Sequence, residues 1–338
     1  MKKSDNISDI LRHVPCKEAK HLFSDTPAIT KLLDLPSNSG KYADEVVDAF
    51  KRVADSDSLG LFESFIKNNN FKDVADYEKR YTKIISNVSE FQDELMLVIK
   101  NADERTALKI AEFASDYGKG VIGAVDKCGY DNIYKITHYI SESGVSGKVA
   151  SELFEALSKH GDTLIKAVEK CGPKNIENIV EILSKINPNQ VDAVVDLLVH
   201  HGDDMVRAIK NCGTDKIDLI EELIKSGEKY NLGDVLFICR NSSQELVWLE
   251  IGGKSSGFMH ILAHHPLEQF SEFGVKSETD LQKLLLYTIS EYIPVGKYGQ
   301  GGTAYQIGNR YLCAVISSNG YLVDTYDITS KMKKIIFY

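Results

Sequence analysis

Residues 160–172 read HGDTLIKAVEKCG, and similar stretches occur on either side: YGKGVIGAVDKCG at 117–129 and HGDDMVRAIKNCG at 201–213. Each stretch has a glycine suited to a helix C-cap, a short amphipathic helix and a Cys-Gly ending. Further helices are predicted over 174–186 and 190–200. Helical units that recur every 40 or so residues bury their apolar faces on one another. The sequence therefore predicts an α-solenoid-like helical repeat array over 101–230.

The cysteines support a structural interpretation of this repeat. Three of the six occupy the same position in each unit, and no two of the six form a CxxC pair. Small apolar thiols at a repeated position are typical of buried core residues rather than of a disulfide or zinc framework. We therefore expect reduced thiols and no bound metal or cofactor. The cysteines are Cys16, Cys128, Cys171, Cys212, Cys239 and Cys313.

The first hundred residues form a separate N-terminal helical region, 1–100, in this interpretation. Six segments have apolar residues at helical spacing, and Pro or Ser/Asn/Gly clusters separate several of them. These predicted helices cover 7–14, 28–35, 42–53, 59–68, 73–85 and 88–100.

A change in composition follows Gly227, where β-branched and aromatic segments replace the repeats. Strands are predicted over 235–240, 246–250, 303–308, 311–317, 321–326 and 334–338. The run SSNG at 317–320 is a hairpin signal, and a helix is predicted over 278–292. The chain is thus predicted to be multidomain, with the all-α repeat array followed by a small α+β domain over 231–338. This domain has two helices and an antiparallel sheet.

The other helix of that domain is predicted from residues 257–266, which read GFMHILAHHP and hold three of the nine histidines. Phe258, Ile261 and Leu262 have helical spacing, so one face of this short helix is expected to enter a core. His260 and His264 share a face because they are four residues apart. Pro266 disfavours helical geometry at His265, which should therefore lie at the helix end.

Several short motifs lie between 247 and 338. They are Trp248-Leu249-Glu250, Gly253 to Gly257, His260-Ile261 with His265, Phe273-Gly274, Thr303-Ala304-Tyr305 and SNGYLVDTY at 318–326. This series resembles the C-terminal RNase domains of bacterial polymorphic and contact-dependent inhibition toxins, the Barnase/EndoU/colicin/RelE-like (BECR) class. The resemblance implies a metal-independent endoribonuclease, a helix ahead of a four-stranded sheet, and a cognate immunity protein as partner. The repeats before it are similar to the pre-toxin regions of such proteins.

RNA cleavage through the 2′-hydroxyl needs a base, an acid and donors for the phosphate charge. We assign catalytic roles to His260 and His265, with Thr303 and Tyr326 as further catalytic candidates. The glycine-rich segment 296–303 is interpreted as a phosphate-binding loop around Lys297. The predicted substrate-binding residues are Lys297, His264, Tyr305 and Tyr321.

The formal net charge is −9, but residues 248–338 contain eight basic and eight acidic side chains. A neutral catalytic part favours a selective substrate such as tRNA over binding to any RNA. No segment has the apolar length of a membrane span or the apolar core of a signal peptide. We therefore expect no signal peptide in this chain, and the resemblance implies a toxin that is secreted or delivered into the cytoplasm of a target cell.

Two alternatives stay open from the sequence. One is a non-enzymatic adaptor, in which the helical repeats bind a protein and the small domain is a degenerate nuclease fold. The other is a metal-dependent DNase, which is disfavoured because no His, Cys and carboxylate cluster has metal-ligand spacing.

Overall fold

The computed structural model describes residues 92–99, 102 and 104–338. The helices predicted over 7–85, and nearly all of the N-terminal region 1–100, lie outside the described residues. The described part is mostly helical and ends in an antiparallel sheet, which confirms that much of the predicted fold. The chain packs as two compact units that meet in sequence between Lys166 and Ala167. The predicted domain boundaries after residues 100 and 230 stay predictions.

The described helices of the first unit are amphipathic. Their buried residues recur at helical spacing, as in Ile133, Ile136 and Ile140. The last helix crosses the sequence boundary between the units and is interrupted at Gly161, whose φ of 61° and ψ of −142° are not helical. The helices are α1 (Gln92–Ile99), α2 (Glu104–Tyr117), α3 (Gly120–Cys128), α4 (Tyr130–Ser143) and α5 (Gly147–Cys171).

The three Cys-Gly stretches have the same local backbone. Gly129, Gly172 and Gly213 have φ values of 79°, 80° and 98°, with ψ between 154° and 163°. Only glycine adopts this conformation at low cost, so the chain turns sharply at each point. An asparagine four residues after the cysteine donates to its carbonyl in two copies, namely Asn132 to Cys128 at 2.9 Å and Asn175 to Cys171 at 2.8 Å.

The second unit continues with four helices, the last two of which lie against the first strand. Asn211 Nδ2 donates to Val235 O at 2.9 Å, and Arg240 forms an ion pair with Glu222. The last two helices therefore pack directly on the sheet-containing part. The helices are α6 (Ile176–Lys185), α7 (Val191–His201), α8 (Asp203–Cys212) and α9 (Ile217–Lys225).

Seven strands, two α-helices and three short 3₁₀ helices make up the rest of the chain. β1 and β2 form an antiparallel pair, and the other strands form a five-stranded antiparallel sheet in the order β6-β5-β4-β3-β7. A parallel bridge between Trp248 and Tyr321 connects β2 to the start of β6. The elements are β1 (Val235–Arg240), β2 (Leu246–Glu250), α10 (Phe258–His264), α11 (Glu278–Glu291), β3 (Gly296–Tyr298), β4 (Gly302–Ile307), β5 (Arg310–Ile316), β6 (Leu322–Asp327) and β7 (Ile335–Phe337).

Two details differ from the sequence-based prediction. Residues 296–298, predicted as part of a phosphate-binding loop, form β3 and pair with strands on both sides. Their backbone groups are therefore used in the sheet, and only Gly299 to Gly301 form the turn. The sheet has five strands rather than the four implied by the resemblance, because β7 returns to pair with β3.

The five-stranded sheet has two faces with different neighbours. Face A carries Tyr305, Leu312 and Ala314 and packs on α10 and α11 through Ile261 and Leu285. Face B carries Ala304, Cys313 and Tyr326 and covers a smaller cluster with Ile328 and Ile335. Since side chains alternate along a strand, a shift of one residue moves a side chain from one face to the other.

Candidate functional site

Helix α10 carries the predicted histidines and lies beside β6. Phe258 and Ile261 are buried in the main core, which fixes the orientation of the helix. The helix ends at His264, and His265 leaves helical geometry with φ −133° and ψ 82°. The proline that follows accounts for this end. His265 can therefore turn its ring toward the strand.

A tight glycine loop sets the start of α10. Gly257 has a φ of 85°, and its amide donates to Val323 O on β6 at 3.1 Å. The loop also brings the carbonyl of Lys254 back over the helix, where it lies 2.9 Å from His260 Nδ1. Because a carbonyl only accepts, His260 Nδ1 is the protonated nitrogen in this contact and Nε2 is the nitrogen left for proton exchange.

The two predicted histidines meet at one carboxylate. His265 Nε2 is 3.5 Å from Asp324 Oδ1, and His260 Nε2 is 3.9 Å from Asp324 Oδ2. His265 Nδ1 lies 3.3 Å from Gln269 Oε1. The side chains of His260, His265 and Asp324 are 18%, 21% and 19% exposed, so the cluster is partly buried and still open to solvent. We refer to these three residues as the His-Asp cluster.

Asp324 reaches the cluster because of an irregularity in β6. Val315 pairs with Asp324 while Ile316 pairs with Leu322, which leaves Val323 as an extra residue. Such a bulge re-aims the side chains next to it. Asp324 Oδ1 also accepts the amide of Thr325 at 2.8 Å, which restricts the carboxylate.

Tyr326 borders the cluster through its ring rather than its hydroxyl group. The ring centroid is 5.1 Å from that of His265 and 6.1 Å from that of Tyr298. The hydroxyl donates to the buried Cys313 thiol, and burial together with this bond raises the pKa of Tyr326 far above its ordinary value. The predicted catalytic residue Tyr326 therefore lies beside His265 with its hydroxyl turned into the sheet.

Thr303 and Tyr305 lie on face A, away from the His-Asp cluster. Ala304 pairs with Cys313 and Cys313 with Tyr326, so these three share face B. Thr303 and Tyr305 flank Ala304 and project to the opposite face. Burial raises the pKa of Tyr305 to about 12.

The other predicted substrate-binding residues are also dispersed. Lys297 pairs with Thr303 on face A and is exposed. His264 is exposed, and its ring centroid is 4.4 Å from that of His260. Tyr321 packs on Trp248 with ring centroids 6.1 Å apart and hydrogen-bonds to Ser256, so it supports the glycine loop.

Sequence analysis missed Asp324, Tyr298 and the carbonyl of Lys254. Asp324 was present in the quoted motif SNGYLVDTY, and its being the one carboxylate of that motif was the available signal. Nothing in the sequence marks a backbone carbonyl that a loop returns to a histidine.

Within residues 92–99, 102 and 104–338 no group of three or more His, Cys, Asp or Glu side chains is arranged to hold a metal ion. No helix of that part combines the length and apolarity needed to cross a membrane. No protein-family model matches the chain, and no curated protein matches its sequence. Fold and site together describe a chain whose described part is mostly helical and ends in an antiparallel sheet, with a His-Asp cluster at the edge of that sheet.

Proposed function

We propose that residues 231–338 form a metal-independent endoribonuclease domain and that the chain is a bacterial toxin. The observation that carries the proposal is the approach of two imidazole Nε2 atoms to the Asp324 carboxylate, at 3.5 and 3.9 Å, in a partly exposed cluster. The resemblance of segment 247–338 to toxin RNase domains gives independent support from the sequence.

The proposed reaction uses the two imidazoles in different protonation states. A neutral ring takes the proton of the 2′-hydroxyl as the 2′-oxygen attacks phosphorus. An imidazolium gives its proton to the 5′-oxygen as the bond from phosphorus to that oxygen breaks. The product carries a 2′,3′-cyclic phosphate. Histidine suits both roles because it exchanges protons near neutral pH.

Asp324 acts as a positioning residue in this proposal. Its two oxygens face the two Nε2 atoms, and its bond from the Thr325 amide restricts its own rotation. The carboxylate therefore holds both imidazoles beside β6. Tyr326 limits the motion of the His265 ring on the other side.

The helical repeats have a carrier role in the proposal. The matching local backbone of the three Cys-Gly corners supports the proposal that these segments are helical repeats. A selective RNA such as tRNA is the proposed substrate, and a cognate immunity protein is the proposed partner. The toxin would act after delivery into the cytoplasm of a target cell.

The test is incubation of the full chain with tRNA in EDTA, followed by sequencing of RNA ends that carry a cyclic phosphate. We expect cleavage, with His260→Gln and His265→Gln each lowering the rate by about 10²- to 10⁴-fold, the usual contribution of a general acid or base. His138→Gln is the matched control, because His138 is 69% exposed on α4. Cleavage that neither cluster substitution affects would contradict the proposed mechanism.

Asp324 also favours a second explanation. A carboxylate shared by two imidazoles fits a structural cluster that fastens α10 to β6, as in an adaptor with a degenerate nuclease fold. In that case RNA stays intact, and the same substitutions lower the free energy of unfolding without any catalytic effect. Measuring cleavage and urea unfolding on the same variants separates the two functions.

A further inference from the structure

A second site lies on face A, outside the His-Asp cluster. A cavity of about 750 Å³ opens between the end of α9, the β1–β2 turn and the β5–β6 turn. Its apolar walls include Trp248, Pro294 and Ile316, and its floor includes Thr303 and Tyr305. Two of the predicted site residues that the proposed nuclease does not use, Thr303 and Tyr305, therefore line this cavity together.

The floor carries a buried hydroxyl group that lacks a partner. Tyr305 is 2% exposed, and no described residue hydrogen-bonds to its hydroxyl. Buried polar groups are almost always hydrogen-bonded in folded proteins, because an unmade bond leaves the desolvation cost uncompensated. A polar atom of a bound molecule would satisfy this hydroxyl.

The mouth of the cavity has an excess of negative charge. Lys225 is paired with Glu221 at 2.5 Å and Glu222 with Arg240, so these charges offset one another. Glu228 and Glu245 also line the mouth, and no cation among the described residues pairs with either. Two carboxylates therefore remain to attract a positive ligand.

The β1–β2 turn holds one of these carboxylates in place. Asn241 Oδ1 accepts the Glu245 amide at 2.9 Å, and Asn241 Nδ2 donates to Glu245 Oε2 at 2.8 Å. Glu245 is therefore restrained at the rim before any ligand binds. A restrained charge costs less entropy on binding than a free one.

We infer that this cavity binds a small organic cation, an amine or guanidine with an apolar stem. The cationic group lies at the mouth beside Glu228 and Glu245, and the stem packs on Trp248 and Ile316. A polar atom at the far end hydrogen-bonds to the Tyr305 hydroxyl. This site is independent of the proposed nuclease, so either can fail without the other.

The test follows the fluorescence of Trp248, which is the one tryptophan of the chain and lines the cavity. The full chain is titrated with agmatine, a guanidine with a butyl stem and a second amine, at constant ionic strength. The matched probe is pentanoate, which keeps an apolar stem of similar length and has a carboxylate but no cationic group. We expect saturable binding of agmatine that is at least about tenfold tighter than that of the matched probe, since like charges at the mouth repel.

Three variants complete the design. Glu245→Gln removes one charge and should weaken agmatine binding about fivefold, since one Coulomb contact near the surface is worth on the order of 1 kcal/mol. Tyr305→Phe removes one hydrogen bond to the ligand and should weaken agmatine binding by a similar factor. Glu169→Gln on α5, far from the lining residues in sequence, should leave the affinity unchanged.

Two results would overturn the inference. One is the absence of a saturable signal up to about 10 mM agmatine, above the range of a specific fragment site. The other is an affinity for agmatine that is the same in Glu245→Gln and in Tyr305→Phe as in the parent protein. Glu245 is exposed, so its variant keeps the test valid even if Tyr305→Phe disturbs folding.

Discussion

At the scale of single residues, two tyrosines of the five-stranded sheet differ in the hydrogen bonding of their hydroxyl groups. Tyr326 donates to the Cys313 thiol, whereas no described residue bonds to the hydroxyl of Tyr305. We expect Tyr326→Phe to lower the free energy of unfolding by about 1 kcal/mol, the net value of a typical hydrogen bond. Tyr305→Phe should leave it unchanged or higher, because the lost hydroxyl had no bond to lose.

Urea unfolding of both variants beside the parent protein measures this difference. Each substitution removes the hydroxyl oxygen of one tyrosine, so each variant serves as the control for the other. A loss of more than about 1 kcal/mol in Tyr305→Phe would mean that its hydroxyl is satisfied within the protein.

The same scale explains which site residues the sequence could predict. His260 and His265 were predicted because local helix rules describe their spacing and the effect of Pro266. Thr303 was predicted beside them, but strand alternation turns it to face A, while Ala304 shares a face with Tyr326. Which face a residue takes depends on register and on the bulge at Val323, and these are set by pairing between strands.

At the scale of elements, the glycine loop before α10 is the part on which the site depends most. A Cβ on Gly257 would lie 2.5 Å from Tyr321 Oη, 2.8 Å from Gly252 Cα and 3.0 Å from Glu250 O, and its φ of 85° disfavours any side chain. We expect Gly257→Ala to cost about 1–3 kcal/mol of unfolding free energy. This loop also places Lys254 O beside His260 Nδ1. The rate of any RNA cleavage should therefore also be lower in Gly257→Ala.

Gly253 in the same loop provides the matched control. A Cβ there meets no atom within 4 Å, and its φ is not in the left-handed region. Gly253→Ala should therefore be neutral, or stabilising by a few tenths of a kcal/mol through the unfolded state. Equal midpoints of urea unfolding for the two variants would show that the loop tolerates a side chain at Gly257.

The elements themselves were largely predictable, with one instructive exception. The helix predicted over 278–292 is α11, because its apolar residues have helical spacing. The strand predicted over 235–240 is β1, because a short apolar run rich in β-branched and aromatic residues favours a strand. β3 was missed because Gly-Lys-Tyr between two glycine-rich stretches has no such pattern. Its strand geometry comes from pairing with β4 on one side and β7 on the other.

At the scale of the whole molecule, buried thiols are distributed through both units. Burial raises the pKa of Cys128 and Cys171 to about 11 and those of Cys212 and Cys239 to about 12. In the unfolded chain the thiol protons are released near the ordinary thiol pKa. In the folded chain they are kept up to the raised pKa values. The unfolded state therefore binds fewer protons above the ordinary thiol pKa, and the stability falls as pH rises.

We expect the free energy of unfolding to be independent of these thiols up to about pH 8. Above about pH 9 it should fall until the pH reaches the pKa values of the folded protein. The expected loss at pH 10 is on the order of 1 kcal/mol per thiol. Urea unfolding at pH 8 and pH 10 measures the decrease. Cys128→Ala with Cys171→Ala is the comparison, because the cavity that the substitution creates costs the same at both pH values and cancels. The double variant should lose less stability than the parent between the two pH values by on the order of 2 kcal/mol. An equal loss in both proteins would mean that these repeat cysteines titrate as they do in the unfolded chain, and that the Cys-Gly corners are open to water.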